Sequence, residues 1–237
     1  MIFLLDDDPS APFPDVSLAE REPNGLLAVG GDLSAQRLIH AYSKGIFPWF
    51  SEGEPILWWS PDPRTVLYPE KIKISRSLRK TLRRKSFQVS FDQDFEAVIH
   101  ACAKPRDKSP GTWLLPEMID AYSAQHELGL AHSVEVWQDE QLVGGLYGMS
   151  LGGVFFGESM FSRVSDSSKI ALVHLSQCLK AWGYKMIDCQ VYTPHVAKLG
   201  ALEIPRKTFC RDLTQWTRLP GRPGNWSDIP PSYPTVE

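Results

Sequence analysis

The chain reads as an α+β protein, with a small N-terminal α/β domain over residues 1–64 and a larger mixed-sheet domain over 65–237. Three observations predict this. From residue 131 the hydrophobic periods run strand-strand-strand-helix-strand-helix-strand, the order of a mixed sheet with helices on its faces. Met186-Ile187-Asp188-Cys189-Gln190-Val191 follows the helix-breaking Gly183 and reads as a strand. Before residue 65 the chain is instead punctuated by Pro, Gly and Trp.

Taken in order, residues 1–20 are rich in Pro and Asp and read as a loose lead-in. Pro23-Asn24-Gly25 is a turn, because it supplies a fixed φ and then a position for φ > 0. Leu26 to Val29 is a short apolar piece. Ser34 caps a helix that runs to about Lys44 and stops at Gly45. Trp49, Trp58 and Trp59, three of eight tryptophans, then fall within eleven residues among prolines, in a segment of the kind that stacks nucleic-acid bases. Any one of them is more commonly core.

A helix from about Ser75 places Arg76, Arg79, Lys80, Arg83 and Arg84 on one face and Leu78 and Leu82 on the other. Residues 87–91 read as a strand. Asp92 or Asp94 caps a helix to about Ala103, and Glu117 to Leu128 is a helix containing Tyr122, closed by Gly129. The meander follows, over Ser133–Trp137, Leu142–Met149 and Val154–Phe161. Ser165 or Asp166 caps the next helix, with Ile170, Leu172, Val173, Leu175 and Leu179 as its apolar set. After the strand at 186–191 come a short helix near His195–Leu199, a last strand over Ile204–Phe209, and a Pro-rich tail from Leu219 that reads as loose.

Composition narrows the function. With 237 residues, 43% hydrophobic and 22% charged, the chain can bury a substantial core. Met1–Leu5 followed by three aspartates is too short and acidic for a signal peptide, and no apolar run reaches membrane-spanning length. Four cysteines without a C-x-x-C pair read as reduced thiols, so we expect a cytoplasmic protein. The six histidines form no H-x-x-x-H, and no metal site is expected. A P-loop and a G-x-S-x-G elbow are also missing from the sequence. The net charge of −3 hides strong polarity. Lys71–Lys85 carries eight basic residues and no acid, and removing them leaves 17 basic against 28 acidic residues, a net of −11. That helix face suits phosphates. Asp188 and Gln190 are the other candidates. Alternation points both the same way, either into a polar site or onto a wet sheet edge. Cys189 then faces oppositely, as a core thiol.

The strand order resembles the second half of the N-acetyltransferase (GNAT) fold. The junction that carries a Gly-rich pyrophosphate loop in that family is here Phe161–Lys169 and holds no glycine, which argues against coenzyme A. A longer set of motifs resembles the leucyl/phenylalanyl-tRNA–protein transferase family. It comprises Pro23–Ala28 with Gly30–Ser34, Gly45-Ile46-Phe47-Pro48-Trp49-Phe50, Trp58-Trp59-Ser60-Pro61-Asp62-Pro63-Arg64, Gly111-Thr112-Trp113, His132–Trp137, Gly157–Ser162 and Asp188-Cys189-Gln190. The resemblance implies transfer of Leu, Phe or Met from aminoacyl-tRNA to the α-amine of proteins beginning with Lys or Arg, which marks them for N-degron (N-end rule) degradation. The donor ester is already activated, so no ATP, metal or other cofactor is implied; a monomer without membrane attachment is expected.

The same resemblance assigns roles. Asp188 holds the attacking amine or takes its proton, although a free Asp (pKa about 3.9) is a weak base for an amine of about 8. Gln190 supports the ester or oxyanion, and Glu158 joins that network or meets the acceptor's positive side chain. Leu146, Phe155, Met160, Leu172, Leu175 and Ile187 form the slot for the donor side chain, whose shape is worth ~1–3 kcal/mol against β-branched residues. Trp49 and Trp113 stack the terminal adenosine, with Tyr42 and Tyr122 near it. The basic face from Arg76 to Arg84 holds the acceptor stem. Two other classes fit part of the sequence: a non-catalytic RNA-binding module, and a tRNA-dependent transferase acting on a cell-wall peptide amine.

Overall fold

Turn and cap chemistry places most elements where the residue pattern predicts. The computed structural model describes residues 2–104 and 114–230. The N-terminal part contains β1 (Phe3–Leu5), β2 (Leu26–Gly30), α1 (Ala35–Ser43), β3 (Phe47–Pro48) and β4 (Leu57–Trp59). Ser34 caps α1 by accepting from the Arg37 N–H. The strands form a four-stranded sheet in the order β1-β2-β4-β3. The lead-in is thus more ordered than its composition predicts. Phe3–Leu5 pairs in parallel with Ala28–Gly30, and the buried Arg37 donates to the carbonyls of Asp6 and Asp8 at 2.8 and 2.7 Å.

The second sheet has seven strands in the order β11-β5-β10-β9-β8-β7-β6. Its elements are β5 (Arg64–Leu67), α2 (Arg76–Arg83), β6 (Gln88–Phe91), α3 (Phe95–Ala103), α4 (Pro116–Glu127), β7 (Ala131–Gln138), β8 (Gln141–Leu151), β9 (Val154–Ser162), α5 (Ser167–Ala181), β10 (Met186–Gln190), α6 (Pro194–Lys198), β11 (Leu202–Ile204) and α7 (Arg206–Trp216). Asp94 rather than Asp92 caps α3. The sequence reading gives 64–67 no strand, yet β5 lies beside β10. This removes the wet-edge alternative: β10 is an interior strand, antiparallel to β5 and parallel to β9. The expected strand over Ile204–Phe209 ends at Ile204, and the rest becomes helix α7, which starts after Pro205. Proline favours a helix start because its missing N–H is unneeded there.

Two apolar clusters lie on the sheet's two faces. One joins Leu27, Leu38, Tyr42 and Trp58 of the N-terminal part to Val98, Tyr122, Tyr147 and Phe156. The other joins Leu78 and Leu82 of α2 to Leu146, Phe155, Leu172, Leu175 and Ile187. Close packing explains two strand glycines that interrupt the apolar pattern. A Cβ on Gly144 would come within 2.2 Å of the Ser167 hydroxyl, and one on Gly148 within 2.1 Å of the Phe156 carbonyl. Among the described residues no helix is long and apolar enough to cross a membrane.

The tail is also better fixed than its prolines predict. Trp226 is fully buried and lies flat on His132, with ring centroids 3.6 Å apart at 2°. Its backbone N–H donates to Asp92 at 2.7 Å, and the same carboxylate holds the His132 ring at 2.8 Å. Local composition could not reveal a partner 94 residues away in the chain. Trp226→Ala is expected to lower stability by about 3–5 kcal/mol in denaturant unfolding, the usual cost of emptying such a site. A change below about 1 kcal/mol would mean the tail is only laid on the surface.

Candidate active site

The site lies where β9 and β10 stop pairing. Their parallel ladder covers Met186–Asp188 against Val154–Phe156, while β9 continues to Ser162. A cavity of about 710 Å³ occupies this opening. On the same strands two local irregularities aim side chains. Opposite β8, Tyr147 pairs with Ser159 but Gly148 pairs with Gly157, so Glu158 is the extra residue of a β-bulge. One inserted residue reverses the alternation beyond it. Glu158 thus keeps the face of Phe156, while Met160 joins Phe155 on the other face. On β10 the pairing with β5 shifts between Asp188 and Gln190, and Gln190 has φ 61°. A non-glycine residue in this region stores strain that surrounding contacts must hold.

Those contacts form a closed polar network. Glu158 accepts from the Tyr42 hydroxyl at 2.7 Å, the Tyr122 hydroxyl at 2.9 Å and the Gln190 side-chain amide at 2.8 Å. The two tyrosine hydroxyls are 2.6 Å apart. Burial pushes the Glu158 pKa up from 4.5 to about 7; the hydrogen bonds from Tyr42 and Tyr122 oppose this, and the Asp188 charge adds to it. Both tyrosines are held well above the usual phenol value, first by burial and then by Glu158, so they remain donors. A raised carboxyl pKa also has a stability consequence. The contribution of Glu158 is fully present below about 4.5 and is lost as pH rises through about 7.

Asp188 sits behind this network and outside the cavity lining. Its two oxygens accept from Arg64 at 2.8 and 2.6 Å, and Oδ1 also accepts the Gln190 backbone N–H at 2.9 Å. Both partners are buried, and the Arg64 guanidinium lies between the rings of Phe47 (4.8 Å) and Phe209 (4.6 Å). Asp188 and Gln190 are therefore not two free groups on one face. Asp188 anchors the backbone, and the Gln190 side chain turns to Glu158. Cys189 keeps the face opposite Asp188, beside Ile187: it packs against the apolar cluster there and also lines the cavity, its pKa raised by burial. Alternation fails only at Gln190, where the register shift and the positive φ break it.

All six residues of the expected slot, Leu146, Phe155, Met160, Leu172, Leu175 and Ile187, line the cavity. Tyr42 and Tyr122 are fully buried behind Glu158, where they orient its carboxylate. Trp49 is 45% exposed and tilted against Trp59 at 5.9 Å, whereas Trp58 is core, its indole N–H on the Gly30 carbonyl at 2.9 Å. Trp113 lies outside the described residues. The α2 face forms as expected. Leu78 and Leu82 are buried, Arg76, Ser77, Arg79, Lys80 and Arg83 line a shallow groove, and Arg84 caps the helix end. The sequence reading missed Arg64 as a partner of Asp188. The available signal was the Asp itself, since a charged carboxylate on an interior strand needs a cation or several hydrogen-bond donors; spacing could not supply a partner 124 residues away.

An apolar slot on one face of a sheet and a carboxylate–amide network at its mouth form a site suited to group transfer. The family model described as "Leucyl/phenylalanyl-tRNA protein transferase" matches residues 66–214, and that of its N-terminal domain matches residues 31–62. A leucyl/phenylalanyl-tRNA–protein transferase of Nitrosospira multiformis is 59% identical over 90% of this chain and 92% of its own. One of Methylococcus capsulatus is 56% identical over 98% and 100%, and one of Syntrophus aciditrophicus 60% over 92% and 91%. Among solved structures, "The structure of L-PGS from Bacillus licheniformis" is 14% identical with a TM-score of 0.39, over 72% of this chain and 56% of that one, too weak a likeness to carry an argument. The chain is an aminoacyltransferase. It belongs to the leucyl/phenylalanyl-tRNA–protein transferase family.

Arg64→Met is expected to destabilise the fold by about 3–5 kcal/mol, because it strands the Asp188 charge. The double variant Arg64→Met, Asp188→Leu should recover much of that loss in denaturant unfolding. Additive losses would show that the two groups act independently.

Proposed function

We propose that the chain moves Leu, Phe or Met from aminoacyl-tRNA to the α-amine of proteins beginning with Lys or Arg, and that the opening between β9 and β10 is where the acyl group changes carrier. The carrying observation is the meeting of the apolar slot with Glu158 and Gln190 at one cavity. The donor side chain enters the slot. Glu158, near neutrality, takes a proton from the acceptor amine as its nitrogen attacks the ester carbonyl. One Gln190 N–H is spent on Glu158; the other holds the oxygen on which negative charge develops. The bond to the ribose oxygen then breaks, and Glu158 returns the proton to that oxygen. Asp188 acts as the clamp that fixes Gln190, a reading supported by Arg64 on both its oxygens.

The exposed Trp49 serves as a stacking surface for the terminal adenosine, together with Trp113, and α2 holds acceptor-stem phosphates on the slot's face of the sheet. The parting of two parallel strands beside the cavity supports a GNAT-like reading of the larger unit. The join between units falls near residue 64, where β4 of one sheet gives way to β5 of the other. We read the protein as a cytoplasmic monomer that needs no cofactor, because the ester it consumes is already activated.

Peptides differing only at residue one test the reaction. Phe-tRNA should label Lys- and Arg-started peptides and spare a Met-started one; equal labelling would contradict the reading. The pH profile of transfer tests Glu158. Wild-type kcat/KM should carry a limb that rises with pH through about 7, as the carboxyl ionises. Glu158→Gln should lose that limb and about 10²–10⁴-fold in rate. A limb that survives the substitution belongs to the acceptor amine.

A further inference from the structure

One cavity-lining group has no role in the scheme above. Tyr147 is fully buried, and its hydroxyl has no hydrogen-bond partner, although an orphaned hydroxyl costs about 1–3 kcal/mol. It is directly opposite Ser159 on β9, next to the bulged Glu158, and lines the same cavity. Its ring is held edge-on by Tyr122 at 5.5 Å and Phe95 at 5.9 Å, so the hydroxyl is fixed in place. A buried, immobilised and unpaired hydroxyl at a cavity wall is a place where a ligand supplies the missing partner.

We propose that the Tyr147 hydroxyl accepts a hydrogen bond from the free α-amine of the donor aminoacyl group, making it a specificity residue for donors with that amine. The proposal rests on the acyl-transfer reading above. Three observations choose the amine. The Glu158 carboxylate beside Tyr147 gives this wall a negative field, which favours a cationic or proton-donating group over an oxygen that is gaining charge. The slot residues Leu146, Phe155 and Ile187 belong to the cluster on one sheet face and Tyr147 to the cluster on the other. A donor whose side chain fills the slot turns its ester carbonyl and its amine toward the other face, where Gln190 takes the carbonyl and Tyr147 is left for the amine. Finally, Tyr147 is on β8, one strand further from β10 than Glu158, while Tyr192 beyond Gln190 is exposed. The acceptor amine arrives from the Gln190 side, and the deep position is left to the donor.

The test is a cycle between Tyr147→Phe and donors with or without the amine. The probes are the non-hydrolysable 3′-amide adenosine conjugates of phenylalanine and of 3-phenylpropionate, read as Kd, and the corresponding acyl-tRNAs, read as kcat/KM with a Lys-started peptide. Tyr147→Phe should weaken the phenylalanine conjugate about 10-fold and leave the desamino conjugate within twofold of wild type. The same pattern is expected in kcat/KM. The variant should fold with an unchanged or higher Tm, since it removes an unpaired buried hydroxyl. Equal losses on both conjugates, or no loss on either, would overturn this role and leave acyl transfer standing. A wild-type chain that binds the phenylalanine conjugate but transfers nothing from Phe-tRNA would overturn the parent reading and this one with it.

Discussion

The end of the ladder between β9 and β10 is the constraint on which the rest depends. Two parallel strands that pair over only three residues and then part leave an opening in the middle of a seven-stranded sheet. Such an opening exposes backbone and side chains from both faces to one space. That is how an apolar slot on one face and a tyrosine–carboxylate–amide network on the other come to share a cavity. A site on one face alone would offer either greasy packing or polar groups, and acyl transfer needs both within one residue's length.

Keeping strands apart requires reinforcement. The bulge at Glu158 and the strained backbone at Gln190 both lie on the rim of the opening. The buried Arg64–Asp188 pair holds the β10 side, and its worth is positional more than energetic. Replacing such a pair by apolar residues is often neutral for stability. It does, however, fix the backbone N–H of Gln190, and through it the amide that meets Glu158. Tyr42 brings the N-terminal part into the same network, so the small sheet and α1 support the site from outside the larger sheet.

The fold was largely legible in the residues, because its signals are local. Ser34, Ser75 and Asp94 cap the helices they precede, and the meander from Ala131 to Ser162 follows alternation between tight turns. What escaped were contacts remote in sequence: β5 beside β10, Trp226 on His132, and Phe3–Leu5 on β2. The slot residues were placed by resemblance, and the cavity gathers all six. The division of labour between Asp188 and Glu158 was not readable, because it depends on which carboxylate receives a guanidinium. Arg64 takes Asp188, which leaves Glu158 to face the cavity with a pKa near neutrality. Gln190 was misplaced for a related reason: period-two alternation carries no warning of a register shift or a positive φ.

The central claim, that the acyl group is held across this opening, is tested most directly by a crystal structure with the 3′-amide adenosine conjugate of phenylalanine. The account predicts the phenyl ring among Leu146, Phe155 and Leu172, and the amide carbonyl within hydrogen-bond distance of the Gln190 side chain. A phenyl ring seated elsewhere, with the slot left empty and Glu158 and Gln190 untouched, would contradict it.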